Sequence, residues 1–235
     1  MEKEINAVDK KIKRVDRADD VLSWILRLIL IAILAFVISF LYDTYRPDDK
    51  SAVYHNGDTW ITMIGTNIDY PVVQGKDNFE YLDKDPQGNF YAGGSIFLDF
   101  RNKFDFSDSY NVIYGHNMAG GKMFADLKKY YVQDFFDEHP DGMLFTPKQN
   151  YALKVIGIYK TDAYAPGVYG YTSVNSALLG SISKCKPIRS INLTGPGGTG
   201  KKILALSTCS TSMDDSRDVL FCTMTKTDKE YADIE

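Results

Sequence analysis

Between Val21 and Tyr42 the chain reads "VLSWILRLILIAILAFVISFLY", an apolar run interrupted only by Ser23, Arg27 and Ser39. Such a run can cross a hydrocarbon core of roughly 30 Å, and Arg27 stands near enough to one end to snorkel. A buried helix of a soluble protein is excluded because the run is apolar on every face and highly charged at its flanks. The rhythm then changes. Short β-branched and aromatic stretches separated by Gly, Asn and Pro predict strands in "TWITMIG", "IDYPVVQG", "GSIFLDF" (94–100), "YNVIYGH" (110–116), "GMLFTP" (142–147), "YALKVIGIYKT" (151–161), "KILALST" (202–208) and "DVLFCTMTK" (218–226). Helical spacing is confined to two places. Met123, Phe124, Leu127, Tyr130 and Tyr131 predict a helix across "KMFADLKKYYVQDFFDEH" that breaks before Pro140. Val174, Ala177, Leu178 and Ile182 predict another in "SVNSALLGSISKC". The fold class is mainly β: a closed eight-stranded barrel, which removes exposed strand edges, with a few peripheral helices and one transmembrane helix ahead of it.

Direction follows from charge. Lys3, Lys10, Lys11, Lys13, Arg14 and Arg17 precede the apolar run, whereas only Arg46 and Lys50 follow it closely. The excess puts the N-terminus in the cytoplasm. "SFLYDTY" is too bulky for signal peptidase, so the run is expected to stay as an anchor. The resulting organisation is a cytoplasmic segment at 1–20, a transmembrane signal anchor at 21–42, a juxtamembrane linker at 43–57 and an extracellular domain at 58–235.

The length of 235 residues and 44% hydrophobic content allow one substantial core, and the 16 Tyr and 13 Phe suit a β-rich body. The net charge of −4, with no basic patch, argues against a nucleic-acid partner. The glycine-rich "GPGGTGKK" (195–202) falls short of a phosphate loop. Lys202 stands where a Ser or Thr should hold Mg²⁺, and a strand follows instead of a helix. "DFRNKFDFSDS" lacks the ligand spacing of a calcium loop. No metal or cofactor is expected.

Three cysteines, Cys185, Cys209 and Cys222, form no disulfide framework. Cys185, at a helix end, and Cys222, inside a strand, read as packing residues. Cys209 differs: it ends an apolar strand and a polar loop follows, which suits a partly exposed nucleophile. Arg217 opens the next strand, where a short loop would return it beside Cys209 to stabilise an oxyanion. His55 and His139 read as structural or exposed, but His116 ends the strand "YNVIYGH" at the barrel rim. Alone it would be an ordinary hydrogen-bonded histidine; with Cys209 it supplies an acid–base partner, and the pair points to acyl transfer. A non-catalytic surface barrel with Cys209 buried, and a plain cysteine endopeptidase, are the competing readings.

Taken together these residues resemble the sortases, membrane-anchored cysteine transpeptidases of Gram-positive cell surfaces. The resemblance covers roughly residues 58 to 227. "ALSTC", ending at Cys209, is similar to the family's T-L-x-T-C signature with Ala205 in place of the leading Thr. "YGHNM" matches the histidine segment, and Arg217 in "DSRDVLF" matches the family arginine. "IDYPVVQGKDNFEYL", "GSIFLDFRN", "MFADLKKY" and the helix-bearing connection at 173–184 resemble class B in particular. The resemblance implies cleavage of an x-P-x-T-x sorting signal after Thr through a thioacyl enzyme. Cys209 would be the nucleophile, His116 the acid and base, and Arg217 the holder of the oxyanion. Thr208 and Ser207 would line the pocket, and Asp69 would be a polar residue near the histidine. The implied partners are surface proteins bearing the signal, a peptidoglycan-precursor amine or, as the runner-up, a pilin lysine, and the lipid membrane through the N-terminal helix.

Overall fold

The computed structural model describes residues 21–39, 58–190, 202–209 and 215–234, with the backbone alone at Cys209. Segment 1–20, expected to be cytoplasmic, the linker 43–57, the glycine-rich turn 195–201 and most of the loop after Cys209 lie outside the described residues. The chain divides into two compact units, Met1–Pro47 and Asp48–Glu235. In the first, α1 (Val21–Ser39) spans 19 residues with a mean hydropathy of 2.8 and none of it buried. At about 1.5 Å per residue it is roughly 28 Å long, matching a hydrocarbon core, which makes it a candidate membrane anchor.

All eight expected strands form in the second unit: β1 (Trp60–Met63), β2 (Asp69–Val73), β3 (Ile96–Leu98), β4 (Tyr110–His116), β5 (Asp141–Phe145), β6 (Asn150–Asp162), β7 (Lys202–Cys209) and β8 (Ser216–Thr227). They close in the order β1-β2-β3-β4-β7-β8-β6-β5. Two neighbour pairs run parallel, β2 with β3 and β4 with β7; the rest are antiparallel. The β4–β7 pairing places strands distant in sequence side by side, and the site depends on it.

Alternation along each strand sorts its residues between two cores. Ile113, Leu204, Leu206, Leu220 and Cys222 join residues of every other strand in the barrel interior. Their neighbours Tyr110, Val112, Ile203, Ala205, Val219 and Phe221 form a second cluster on the outer face. That face is covered by the connection between β6 and β7, through Val168, Leu178, Ile182 and Cys185. The connection carries α3 (Ser176–Ile182), whose Asn175 side chain accepts the Leu178 N–H as an N-cap.

The segment expected to be one helix before Pro140 is two. A 3-10 helix, Ala125–Tyr131, is separated from α2 (Gln133–Glu138) by Val132 at φ −84°, ψ 121°. One extended residue turns the chain so that Phe124, Leu127 and Tyr130 and, beyond the bend, Phe136 all enter the barrel core. A continuous helix would have needed a single apolar stripe to reach the same places.

Candidate active site

β4 and β7 run in register from Tyr110 opposite Ile203 to His116 opposite Cys209. The histidine and the cysteine are therefore lateral neighbours on strands about 4.8 Å apart. β8 flanks β7 on its other side, with Leu206 opposite Leu220 and Ser207 opposite Val219. Two places further along that register, position 209 comes opposite Arg217. Positions 116, 209 and 217 thus form a row across three adjacent strands. By alternation all three fall on the outer face, the one the β6–β7 connection covers.

The ring of His116 is fixed from the β2–β3 connection: its Nε2 lies 2.7 Å from the carbonyl oxygen of Leu82. A carbonyl only accepts, so Nε2 carries the hydrogen, and Nδ1 is the nitrogen left to give and take a proton. Among the described residues Nδ1 has no hydrogen-bond partner. Gly115 explains the glycine of the "YGHNM" segment. A Cβ there would stand 2.4 Å from Ile96 Cδ1 and 2.9 Å from the Phe124 ring, and Phe124 donates its N–H to the His116 carbonyl at 2.9 Å. The glycine lets this packing reach the backbone of the histidine itself.

Arg217 donates from Nη1 to the Ser216 carbonyl at 3.1 Å, and among the described residues no carboxylate lies within ion-pair distance of its guanidinium. Its charge is therefore available to an incoming anion. Thr208 and Ser207 are almost fully buried. Thr208 Oγ1 accepts the Asp218 N–H at 3.1 Å, tying β7 to β8 one residue away from both Cys209 and Arg217. Ser207 Oγ lies 2.8 Å from the hydroxyl of Tyr169, on the β6–β7 connection. Tyr169 in turn stacks on Tyr114, which donates to the buried Asp99 at 2.8 Å. Ser207 and Thr208 thus brace the strand that presents the cysteine.

Asp69 has a different setting from the one expected. Trp60 Nε1 donates to its Oδ1 at 2.7 Å and the Tyr231 hydroxyl to its Oδ2 at 2.8 Å, so both oxygens fasten the C-terminal turn to β1 and β2. The structure does not bring it to the histidine, whose hydrogen bond goes to Leu82. A carboxylate next to Tyr-Pro at a strand start reads the same in sequence whichever neighbour it meets. Lys202, the last residue of the glycine-rich stretch, donates to the Phe106 carbonyl at 2.6 Å and lies over the Tyr151 ring, a structural setting. Cys185 and Cys222 are free and buried; burial pushes the Cys185 thiol up to about 12 and that of Cys222 well above the ordinary range. Both stay protonated at neutral pH, so neither has the chemistry of a nucleophile.

Leu82 and Tyr169 were not visible as site residues in sequence. The Leu82 contact is made by a backbone carbonyl, which any residue would supply. Tyr169 sits among several tyrosines in "TDAYAPGVYGYT" with no periodicity to single it out.

No protein-family model matches the chain. Sortase B of Staphylococcus aureus is 32% identical over 170 residues, covering 70% of this chain and 68% of the relative. The chain belongs to the sortase B family. Sortase B of Listeria monocytogenes is 36% identical over 159 residues, 66% of this chain, and the match spans 63% of that relative's length. Among solved structures, a Streptococcus pyogenes class B sortase involved in pilus biogenesis superposes with a TM-score of 0.65. It shares 33% identity over 77% of this chain and 98% of that one. The barrel described above is thus a class B sortase barrel.

Proposed function

We propose that this class B sortase is a cysteine transpeptidase that cuts an x-P-x-T-x sorting signal after its threonine and transfers the protein to an amine of a cell-wall precursor. The observation that carries the reading is the row formed by His116, Cys209 and Arg217 on three adjacent strands. The Cys209 thiolate attacks the threonine carbonyl carbon, and the carbonyl electrons move to the oxygen, where the Arg217 guanidinium holds the negative charge. As the C–N bond breaks, protonated His116 gives the leaving amine the Nδ1 proton and a thioester remains. The acceptor amine then attacks the thioester and loses a proton to Nδ1, the new amide forms, and the cysteine leaves as thiolate. The thioester preserves the energy of the broken amide, so no ATP is needed. In this reading α1 anchors the protein, residues 1–20 are cytoplasmic, and residues 58–235 act on the outer face.

The test uses the full chain in detergent with a sorting peptide and two amine donors, a peptidoglycan stem mimic and a pilin lysine peptide, with products read by mass. The stem mimic should be joined, Cys209→Ala should abolish turnover, and His116→Ala and Arg217→Ala should each lower it by about a hundredfold or more. Joining of the pilin peptide alone would turn the assignment to pilin assembly, the reading favoured by likeness to the S. pyogenes pilus enzyme. Hydrolysis that no amine diverts would make it an endopeptidase.

A further inference from the structure

The segment between β4 and β5 touches both flanks of the site. At its near end Phe124 donates its N–H to the carbonyl of His116 at 2.9 Å. Just before it Met123, in the left-handed region at φ 53°, donates its N–H to the Tyr70 hydroxyl at 3.0 Å. The 3-10 helix Ala125–Tyr131 follows, held from below by the fully buried Leu127 and Tyr130. At its far end the Tyr131 hydroxyl donates to Asp218 Oδ1 at 2.8 Å. Asp218 is the residue after Arg217, and its own N–H is taken by Thr208, the residue before Cys209.

We infer that the segment Met123–Tyr131 is a strut bracing His116 against Arg217, and that Tyr131 and Asp218 are positioning residues that set where the guanidinium stands relative to Cys209. Three features support this. Each end of the strut bonds within one residue of a member of the row. Its middle is packed into the barrel core, so it is rigid rather than a free loop. Nothing else among the described residues restrains the Arg217 head group, whose one hydrogen bond goes to its own neighbour Ser216. The position of Arg217 therefore rests on the backbone at 217 and 218, which pairs with Thr161 and Lys160 of β6 on one side and which Thr208 and Tyr131 fasten through the N–H and carboxylate of Asp218. A shift of about 1 Å in such a group can lower turnover strongly without loss of fold.

The inference rests on Arg217 as the oxyanion residue, and the test separates the two. In the full chain, single-turnover acylation by a sorting peptide is measured for Tyr131→Phe, Asp218→Ala, Asp218→Asn and Arg217→Ala, alone and combined. Tyr131→Phe removes one hydroxyl and should slow acylation about tenfold with an unchanged thermal midpoint. Asp218→Ala should match it, Asp218→Asn should restore most of the rate because it keeps an acceptor oxygen, and Tyr131→Phe with Asp218→Ala should be no slower than either alone. In an Arg217→Ala background Tyr131→Phe should add nothing. A wild-type rate in Tyr131→Phe, or a further tenfold loss in the Arg217→Ala background, would overturn the strut. A wild-type rate in Arg217→Ala would instead overturn the oxyanion assignment.

Discussion

At the scale of single residues, three thiols in one chain divide by surroundings rather than by chemistry. Cys185 and Cys222 are sealed under the outer and inner cores, where burial disfavours the thiolate. Cys209 stands at the end of a strand beside a histidine position. A methanethiosulfonate reagent should therefore modify Cys209 rapidly in the folded protein and leave Cys185 and Cys222 unmodified until denaturant is added. Peptide mapping reads the outcome, and equal slow labelling of all three would favour a binding barrel over an enzyme. The burial of Cys185 and Cys222 was legible in sequence because one ends an amphipathic helical stretch and the other lies inside a strand pattern, whereas the polar run after Cys209 marks a strand end. The neighbours of Asp69 were not legible, because Trp60 is nine positions away and Tyr231 lies at the far end of the chain, and only barrel closure brings them to one carboxylate.

At the scale of elements, the strands were readable because they are short stretches rich in β-branched and aromatic residues, separated by segments containing Gly, Asn or Pro. The segment before Pro140 reads as one helix because no Gly or Pro marks the break at Val132, although Phe136 lies off the stripe of Phe124, Leu127 and Tyr130 and reaches the core only through the bend. The end of β3 shows what sequence leaves out. Asp99, almost fully buried, accepts from Arg101 Nε at 2.9 Å and Nη2 at 2.8 Å, from Tyr114, and from Asn78 at 3.1 Å. Burial works against the charged form, but the Arg101 guanidinium and the other donors outweigh it and hold the carboxyl below its usual range. A depressed folded value means the stabilisation is fully present above about pH 4, the unfolded value, and disappears as pH falls through the folded one. Asp99→Asn should cost about 1.5–3 kcal/mol near neutrality. In thermal melts the gap between wild type and variant should close below pH 4, and a gap constant down to the lowest pH at which the protein folds would contradict this account.

At the scale of the whole molecule, the site and the anchor impose one requirement on each other. In the proposed function a sorting signal and a wall-precursor amine meet outside the membrane, which would put residues 58–235 on that side, and the lysines and arginines ahead of Val21 predict the same orientation by an independent argument. The span is apolar enough that release should need detergent, whereas a peripheral protein would leave with high salt or carbonate. In cells whose wall has been removed, added protease should digest the 58–235 region while a tag placed before Lys3 stays intact. Adding Lys or Arg residues after Tyr42 while neutralising Lys10, Lys11, Lys13 and Arg14 should then protect the domain and abolish surface joining of a sorting substrate, even though Cys209, His116 and Arg217 are unchanged. If the altered chain still attached proteins at the surface, orientation would not be set by the flanking charge. Loss of joining with the active-site row intact would show that the chemistry of the barrel depends on the side of the membrane to which the first forty residues deliver it.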